Sequence, residues 1–262
     1  MSEAIYIHGT DPAEQQRLAK LGDLTNRAFL QFLEFDRHSK IVDVGSGLGI
    51  LTRELALRMP DGEVWGVEKS TEQLAQAVCD LPNLHFRQAD AHALPLPDDH
   101  FDVVFCRYLL EHVTDPAGVL REMRRILKPG GKIFVQENNI LINAFDPDTP
   151  RFDALWQKFA HLQTVLGGDA AIGKRLYGLL RGAGFHEIAL SIQPEVHHYG
   201  QPTFRPWIEN LIANVRPAQQ NLIAFGLATA EEIAAGLDEL KGLLDNPLAS
   251  TFWYWNRASG VK

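Results

Sequence analysis

The sequence has few of the features that mark secreted, zinc-binding or membrane-spanning proteins. Its 262 residues include two cysteines, Cys79 and Cys106, which lie far apart and have no histidine at zinc-ligand spacing. We therefore expect no disulfide and no metal site. No apolar run approaches the roughly 20 residues of a membrane span, and segment 1–5 lacks a basic stretch before an apolar core. These absences predict a cytoplasmic protein with no signal peptide and no membrane span.

Positive charge is also scarce. The chain has 25 lysines and arginines against 33 aspartates and glutamates, a formal net charge of −8. Proteins that bind nucleic acid usually carry a basic patch, so this balance argues against an RNA or DNA partner. The hydrophobic content of 45% is ordinary for a globular domain. Because no repeat, low-complexity tract or linker interrupts the chain, we expect a single domain.

The most informative stretch is the glycine-rich segment 41–51. Its first residues are apolar and mostly β-branched, which is typical of a buried parallel strand. Glycines follow at the alternate positions 45, 47 and 49, and leucines then recur at helical spacing. Glycine tolerates positive φ and exposes bare backbone, while the free N–H groups that open a helix favour polar or anionic groups. The stretch predicts a strand, a turn and a helix that together bind a nucleotide-like ligand.

Two common nucleotide motifs do not fit this turn. The dinucleotide pattern G-x-G-x-x-G/A needs a small residue where the chain has Ile50, and no G-x-x-x-x-G-K-S/T is present. The chain instead has D-x-G-x-G-x-G, in which Asp43 stands two residues before the first glycine. An ordinary strand-to-helix turn and a dehydrogenase loop are the alternatives at this point.

Strand and helix patterns alternate five times through the first half of the chain. This alternation predicts a doubly wound α/β sheet of parallel strands, in which ligands bind at the carboxyl ends of the strands. The residues expected at those ends are polar and mostly acidic, which favours a cationic, hydroxyl-rich ligand. They are Gly45, Glu68, Asp90, Arg107 and Glu137. The strands are predicted at 41–44, 63–67, 84–89, 101–106 and 132–136.

The flanking regions carry helix signals and two further strands. Asp11 is the predicted N-cap of a first helix, and capping boxes begin at Ser70 and Thr229. In the helix after Ser70, Leu74 and Val78 are expected to face inward. The predicted organisation is one domain, divided into an N-terminal helical cover (1–36), a ligand-binding core (38–137), helical cap inserts (138–182 and 200–247) and closing strands (185–193 and 250–257).

Successive motifs of the core resemble those of the class I S-adenosylmethionine-dependent methyltransferases. The similarity is strong over residues 38–137 and weaker around 168–185, and the branch is similar to ubiquinone/menaquinone-type and other small-molecule methyltransferases. The long segment near 200–245 departs from the ubiquinone enzymes and leaves their substrate in doubt. The motifs are IVDVGSGLG (41–49), WGVE (65–68), QADA (88–91), FDVV (101–104), LEHV (110–113) and LKPGG (127–131).

The resemblance implies a Rossmann-like, doubly wound, seven-stranded sheet with an antiparallel last strand and helical inserts that cap the substrate. It also implies S-adenosyl-L-methionine as cofactor. Glu68 lies 23 residues after Gly45 and is expected to accept hydrogen bonds from the ribose hydroxyls. Asp90 and the Ala91 N–H are expected at the adenine. The remaining expected contacts, at the loop and the methionine end, are Asp43, Gly45, Ser46, Gly47, Lys69 and Arg107.

Each of these residues also has an ordinary structural interpretation. Glu68 could be a solvated acid that pairs with Lys69, Asp90 could form a turn or an N-cap, and Arg107 could belong to a surface ion pair. We favour the cofactor interpretation because the residues fall at the ends of successive strands. Replacing Glu68 by alanine is then expected to weaken cofactor binding at least about tenfold.

A general base is needed only if the methyl acceptor must lose a proton. The candidates from sequence are His112, His197, His198, Tyr199 and Glu137. Loop packing is an equally good role for His112, and no carboxylate stands at metal-ligand spacing from the histidine pair. Several aromatic residues could line an apolar acceptor pocket or simply belong to the core: Phe204, Trp207, Phe252, Trp253 and Trp255.

The function predicted from the sequence is methyl transfer to an O, N or C atom of a small-molecule acceptor. A protein or RNA methyltransferase is the first alternative. A catalytically silent cofactor-binding or scaffold subunit is the second, because intact cofactor residues do not by themselves require turnover. The sequence leaves the oligomeric state open, with a homodimer as one option.

Overall fold

The fold is built on one mixed β-sheet flanked by helices. A computed structural model describes residues 21–22 and 25–262. The strand order is β3-β2-β1-β4-β5-β8, and the first five of these strands are parallel. Strand β8 runs antiparallel to β5, and β7 pairs with β8 along its whole length. The short β6 also pairs with β8, at residues 250–252. The predicted α/β fold class with an antiparallel last strand is confirmed.

The strands are β1 (Lys40–Val44), β2 (Glu63–Glu68), β3 (Leu84–Gln88), β4 (Phe101–Arg107), β5 (Leu127–Glu137), β6 (Ala144–Asp146), β7 (His186–His198) and β8 (Ser250–Val261). The helices are α1 (21–22 and 25–32), α2 (Ile50–Arg58), α3 (Thr71–Leu74), α4 (Pro116–Ile126), α5 (Pro150–Val165), α6 (Leu176–Gly182), α7 (Phe204–Ala224) and α8 (Ala230–Gly242).

Helix starts follow the predicted capping chemistry. At α8, the Thr229 side chain accepts a hydrogen bond from the Glu232 N–H, and the Glu232 carboxylate accepts one from the Thr229 N–H. At α4, Asp115 accepts from the Gly118 N–H. These caps satisfy backbone donors that a helix leaves unpaired. The N-cap predicted at Asp11 lies outside the described residues.

The structure differs from the sequence-based expectations in several elements, among them β5, which begins at Leu127 instead of the predicted 132. Helix α3 ends after one turn, and Val78 is 55% exposed, so the prediction that it faces inward is wrong. Strand β7 continues to His198, beyond the predicted end at 193, because β8 is also longer and pairs with it throughout. Strand β6 makes eight strands instead of seven. A strand of three residues is too short to show the alternation of apolar and polar residues by which strands are predicted.

The apolar core has three parts. Two clusters cover the two faces of the parallel strands, one against α4 and α6, the other against α1 and α2. A third cluster joins α5, α7 and α8 to the start of β8, and Trp207 is its largest fully buried side chain. The inserts therefore form a helical layer of their own. The division into the six predicted segments stays a prediction.

Candidate active site

The glycine turn after β1 is fixed by backbone geometry and by β2. Gly45, Gly47 and Gly49 have φ of +79°, +56° and +69°, a left-handed region that glycine adopts without strain. The N–H groups of Gly45 and Ser46 both donate to the Val67 carbonyl, at 2.8 and 3.0 Å. The turn therefore presents its backbone beside the carboxyl end of β2, where the sequence predicted it.

Glu68 ends β2 and holds two neighbouring loops together. Its carboxylate accepts hydrogen bonds from the Gly47 N–H at 2.9 Å and the Ser70 N–H at 2.8 Å. The carboxylate is half-buried and lines a cleft above the turn. Pairing with Lys69 was the alternative role for Glu68, and the Lys69 ammonium also lies 3.1 Å from Asp90.

Asp90, at the end of β3, is held ionised by its neighbours. One oxygen accepts from the His92 N–H at 2.9 Å and lies 2.7 Å from the His92 ring, while Lys69 contacts the other oxygen. Burial opposes ionisation, but these hydrogen bonds outweigh it and lower the pKa of Asp90 to about 2. The turn-forming role considered for Asp90 is therefore present, and the residue still lines the cleft together with Ala91.

Asp43 points into the protein beneath the glycine turn. The side chain is 3% exposed and accepts a hydrogen bond from the Thr52 hydroxyl at 2.7 Å. Burial raises the pKa of Asp43 from 3.8 to about 7, against the lowering effects of Thr52 and Arg107. A nearby positive charge favours the ionised form of such a carboxyl group. Asp43 is therefore placed to respond to a cation in the cleft.

The raised pKa of Asp43 predicts that the free energy of unfolding depends on pH. Its folded-state pKa of about 7 exceeds the ordinary 3.8, so between these values the folded protein keeps a proton that the unfolded chain loses, and stability falls as pH rises. We expect Asp43→Asn to remove this loss. The free energy of unfolding of the variant relative to the natural chain should rise by a few kcal/mol, order of magnitude, from about pH 4 to about pH 8.

Urea unfolding at several pH values measures this difference. Asp238→Asn, at an exposed residue of α8, is the control and should leave the pH profile unchanged. A difference between Asp43→Asn and the natural chain that stays constant with pH would contradict the prediction.

Arg107, at the end of β4, connects the site to α1. Its guanidinium donates to the Asn26 side-chain oxygen at 2.7 Å and to the Thr25 hydroxyl at 3.3 Å. It also lies over the rings of Phe29 and Tyr108, at 5.4 and 5.2 Å. Among the described residues no carboxylate pairs with this guanidinium, so the surface ion pair considered for Arg107 is not found there. Helix α1 borders the cleft and is tied to it through Arg107.

One cleft of about 850 Å³ brings the predicted cofactor residues together. Its volume is in the range of sites for small molecules and cofactors. The cofactor residues predicted from sequence that line it are Asp43, Gly45, Ser46, Gly47, Glu68, Lys69, Asp90, Ala91 and Arg107. The structure therefore places the whole predicted set on one surface.

The cleft continues from the glycine turn into a second region, of which the sequence suggested only some of the aromatic residues and His112. We call this region the aromatic end. Its lining includes Tyr108, Glu111, His112, Asn138, Trp156, Gln163, Trp207, Trp253 and Trp255. Glu111 belongs to the LEHV motif, so the sequence contained a signal that could have identified it as a site residue. Asn138 and Gln163 belong to no recognisable sequence pattern. They come together at the Glu111 carboxylate, which accepts a hydrogen bond from each of them.

The proposed base candidates separate into two groups. Among the described residues, His112 lines the cleft, whereas His197, His198 and Tyr199 do not. His197 is buried against Trp207, with ring centroids 5.0 Å apart, and its Nδ1 lies 2.9 Å from the Thr203 hydroxyl. Burial lowers its pKa to about 4. The geometry therefore leaves His112 at the cleft and gives His197 a packing role.

Glu137 is also buried away from the cleft lining. Its carboxylate accepts from the N–H groups of Leu109 and Leu110 at 3.0 and 2.8 Å, so it organises the turn after β4. Burial, together with the neighbouring Glu111, raises the pKa of Glu137 well above its ordinary value. This arrangement shapes the loop that carries His112, and it does not bring the Glu137 carboxylate to the cleft.

Of the five aromatic residues proposed from sequence, three line the cleft: Trp207, Trp253 and Trp255. Phe204 is core, and Phe252 is 49% exposed on β8. The difference follows from strand alternation, because Trp253 and Trp255 share one face of β8 and Phe252 points to the other.

In the described chain, no helix is both long and apolar enough to cross a membrane.

The fold and the site together define a nucleoside-cofactor-binding α/β domain. A protein family described as "Methyltransferase domain" matches residues 42–135. An uncharacterized methyltransferase of Schizosaccharomyces pombe is 30% identical over 183 residues, which cover 66% of each chain. The ubiquinone/menaquinone biosynthesis C-methyltransferase UbiE of Ectopseudomonas mendocina is 38% identical over 120 residues, covering 41% of this chain and 47% of UbiE. The chain belongs to the class I S-adenosylmethionine-dependent methyltransferase superfamily.

Solved structures agree on the fold. A putative methyltransferase of Bacillus halodurans aligns with a TM-score of 0.60 and 18% identity, over 91% of this chain and 99% of its own. Phosphoethanolamine N-methyltransferase 2 of Haemonchus contortus, solved with phosphomonomethylethanolamine and S-adenosylhomocysteine, aligns with a TM-score of 0.57 and 19% identity, over 95% of this chain and 52% of its own.

These comparisons confirm the predicted family, with S-adenosylmethionine as its cofactor. The chain matches about two thirds of the length of the S. pombe relative and about half of UbiE.

Proposed function

We propose that the chain transfers a methyl group from S-adenosylmethionine to a small-molecule acceptor. The observation that carries the proposal is the single cleft that joins the glycine turn and the strand-end acids to the aromatic end. Such continuity is what a two-substrate transfer needs, because both reactants must meet in one enclosed space. Location in the cytoplasm remains a prediction from the sequence.

The residues of the turn fit this cofactor. Left-handed glycines leave bare backbone beside β2, and the Ser46 hydroxyl is buried without a hydrogen-bond partner among the described residues. Glu68 would accept from the ribose hydroxyls while it holds the Gly47 N–H, and Asp90 would face the adenine. Asp43 and Arg107 would border the methionine end. Bound there, the cofactor supplies a methyl group on a sulfonium, ready for in-line displacement.

The contribution of the protein is mainly placement. Displacement at a sulfonium has an excellent leaving group, so orientation can supply much of the acceleration. The Glu137 carboxylate fixes the turn that carries Glu111 and His112, and His112 is the lining residue able to take a proton from an acceptor. Helices α5 and α7 cover the aromatic end with Trp156 and Trp207, which limits access of water.

Calorimetry with S-adenosylmethionine and S-adenosylhomocysteine is the first test. We expect one site per chain and dissociation constants of about 1–100 μM, typical of cofactor and substrate affinities. A folded chain that binds neither compound would refute the proposal. A metabolite screen for cofactor consumption, followed by mass spectrometry of the product, then distinguishes turnover from a silent binding subunit. The mass of the product distinguishes a small-molecule acceptor from a protein or RNA.

A further inference from the structure

The aromatic end of the cleft is lined by a cluster of packed aromatic rings, which we call the tryptophan wall. Trp253 lies 5.7 Å from Trp255, 5.9 Å from Trp207 and 6.3 Å from Trp156 between ring centroids. Tyr108 continues the wall, 4.8 Å from Trp255. The faces of aromatic rings carry partial negative charge and attract cations, indole most strongly. The wall therefore suits an apolar molecule, and a cationic one more than an anionic one.

One indole of the wall is coupled to an acid behind it. The Trp255 N–H donates to the Glu195 carboxylate at 3.0 Å. A hydrogen bond to a carboxylate polarises the indole toward attraction for a cation, although burial raises the pKa of Glu195 and the Arg257 guanidinium offsets part of its charge. Glu195 is buried and does not line the cleft, so it can influence the binding of a ligand only indirectly, through the Trp255 ring.

A buried carboxylate lies in the same lining. Glu111 is 3% exposed, and its oxygens accept from the side-chain amides of Asn138 at 2.5 Å and Gln163 at 3.1 Å. Both donors are neutral, and the His112 ring, 3.8 Å from the same carboxylate, balances its charge only when that ring is protonated. The other polar atom of the Asn138 amide, Oδ1, is buried with no partner among the described residues. Two groups at this position can therefore accept hydrogen bonds from a ligand.

Fixed positive charge is sparse in the cleft lining, and Arg107 reaches the border of the aromatic end, 5.2 Å from the Tyr108 ring. In the described part of the chain, the cleft lining contains one lysine and one arginine, Lys69 and Arg107. Lys69 is paired with Asp90, and Arg107 donates to Asn26 and Thr25. A phosphate or carboxylate beside Glu111 would thus meet a like charge and no unengaged lysine or arginine of the described lining. A buried anion without such a partner is costly.

We propose that the methyl acceptor is an apolar amine, held as an ammonium ion between Glu111 with Asn138 and the tryptophan wall. This inference rests on the proposed function and specifies its acceptor. For transfer, the ammonium first releases a proton to His112 or water. The nitrogen lone pair then forms the bond to the methyl carbon while the carbon–sulfur bond breaks, its electron pair passing to sulfur. The products are a thioether and a methylated ammonium, so the positive charge is conserved.

Three indole compounds with the same two-carbon linker test the charge preference: tryptamine, the neutral tryptophol and indole-3-propionate. Each is titrated by calorimetry into the chain saturated with S-adenosylhomocysteine. Tryptamine is expected to bind about tenfold tighter than tryptophol, and indole-3-propionate most weakly. The indole N–H groups of Trp207 and Trp253 are buried without partners among the described residues, and they would favour the neutral oxygen of tryptophol. Tighter binding of tryptophol, or of the acid, overturns the proposal.

Glu111→Gln tests which group sets the preference. It keeps the shape of the side chain and removes its charge, so the tenfold advantage of tryptamine should fall to about twofold. Glu209→Gln, at an exposed residue of α7, is the matched control and should keep the full preference. If Glu111→Gln does not fold, Trp255→Phe replaces it, because losing the indole should weaken tryptamine more than tryptophol. An unchanged preference in the folded variant refutes the role of the altered residue.

The same titrations distinguish failure of this inference from failure of the proposed function. If S-adenosylhomocysteine does not bind, the cofactor assignment is wrong. If it binds and none of the three indoles binds at millimolar concentration, the aromatic end does not take such amines and the present inference is overturned.

Discussion

Glu68→Ala is expected to weaken binding of S-adenosylmethionine about 100-fold, more than the tenfold minimum from sequence. The structure gives the reason for the larger effect. The carboxylate accepts from the Gly47 and Ser70 N–H groups, so its removal takes away the proposed ribose contacts and also releases both loops. Each charge-assisted hydrogen bond lost is worth about 1.5–3 kcal/mol. Calorimetry on the purified variant measures the affinity.

Two further variants test whether the loss of affinity is specific to the Glu68 carboxylate. Glu54→Ala changes an exposed residue of α2 that pairs with Arg58, outside the cleft lining, and should bind the cofactor like the natural chain. Glu68→Gln keeps the size of the side chain, and we expect an intermediate loss of affinity. Natural affinity in a folded Glu68→Ala chain would contradict the ribose assignment.

Gly49→Ala is expected to destabilise the fold by about 2–4 kcal/mol and to impair cofactor binding. Gly49 has φ of +69°, which costs an alanine free energy that a glycine does not pay. Its added Cβ would also lie 2.4 Å from the ring of Phe86 and 3.0 Å from the side chain of Ala77. Either the ring or the turn must move, and the turn carries the cofactor-binding backbone. Urea unfolding measures the change in stability.

The same substitution at Gly178 is the control. Gly178 lies on an exposed face of α6, and its added Cβ would meet no described atom within 4 Å. An alanine there reduces the conformational entropy of the unfolded chain, so Gly178→Ala should stabilise the fold by about 0.5 kcal/mol. Equal effects at the two glycines would show that the tight contact with Phe86 does not constrain the turn.

Local chemistry in the sequence was enough to predict the cofactor half of the site. Alternate glycines after a β-branched strand and an acid at the end of each of the next two strands are signals contained within short stretches. The capping box at Thr229 is similar, since its partners lie three residues apart. In each case, the interacting groups are close in the chain, so their spacing specifies their geometry.

Short-range signals gave wrong or incomplete answers where packing decides. The capping chemistry at Ser70 is present, but helix α3 ends after one turn, so Val78 remains exposed. Histidine and tyrosine residues at 197–199 suggested a second set of reactive groups, but β7 extends through His198 and keeps all three out of the cleft lining. The length of β7 follows from its pairing with β8, more than 50 residues later in the chain.

The sequence by itself determined the family, the glycine turn and the strand-end acids, because these depend on neighbours a few residues apart. Only the tertiary structure decided the aromatic end, where Glu111 from the loop after β4 meets Gln163 of α5 and Trp255 of β8. It also decided the raised pKa of Asp43, which follows from burial beneath α2. These features depend on side chains brought together from distant segments, and such convergence is fixed by the packing of helices on the sheet.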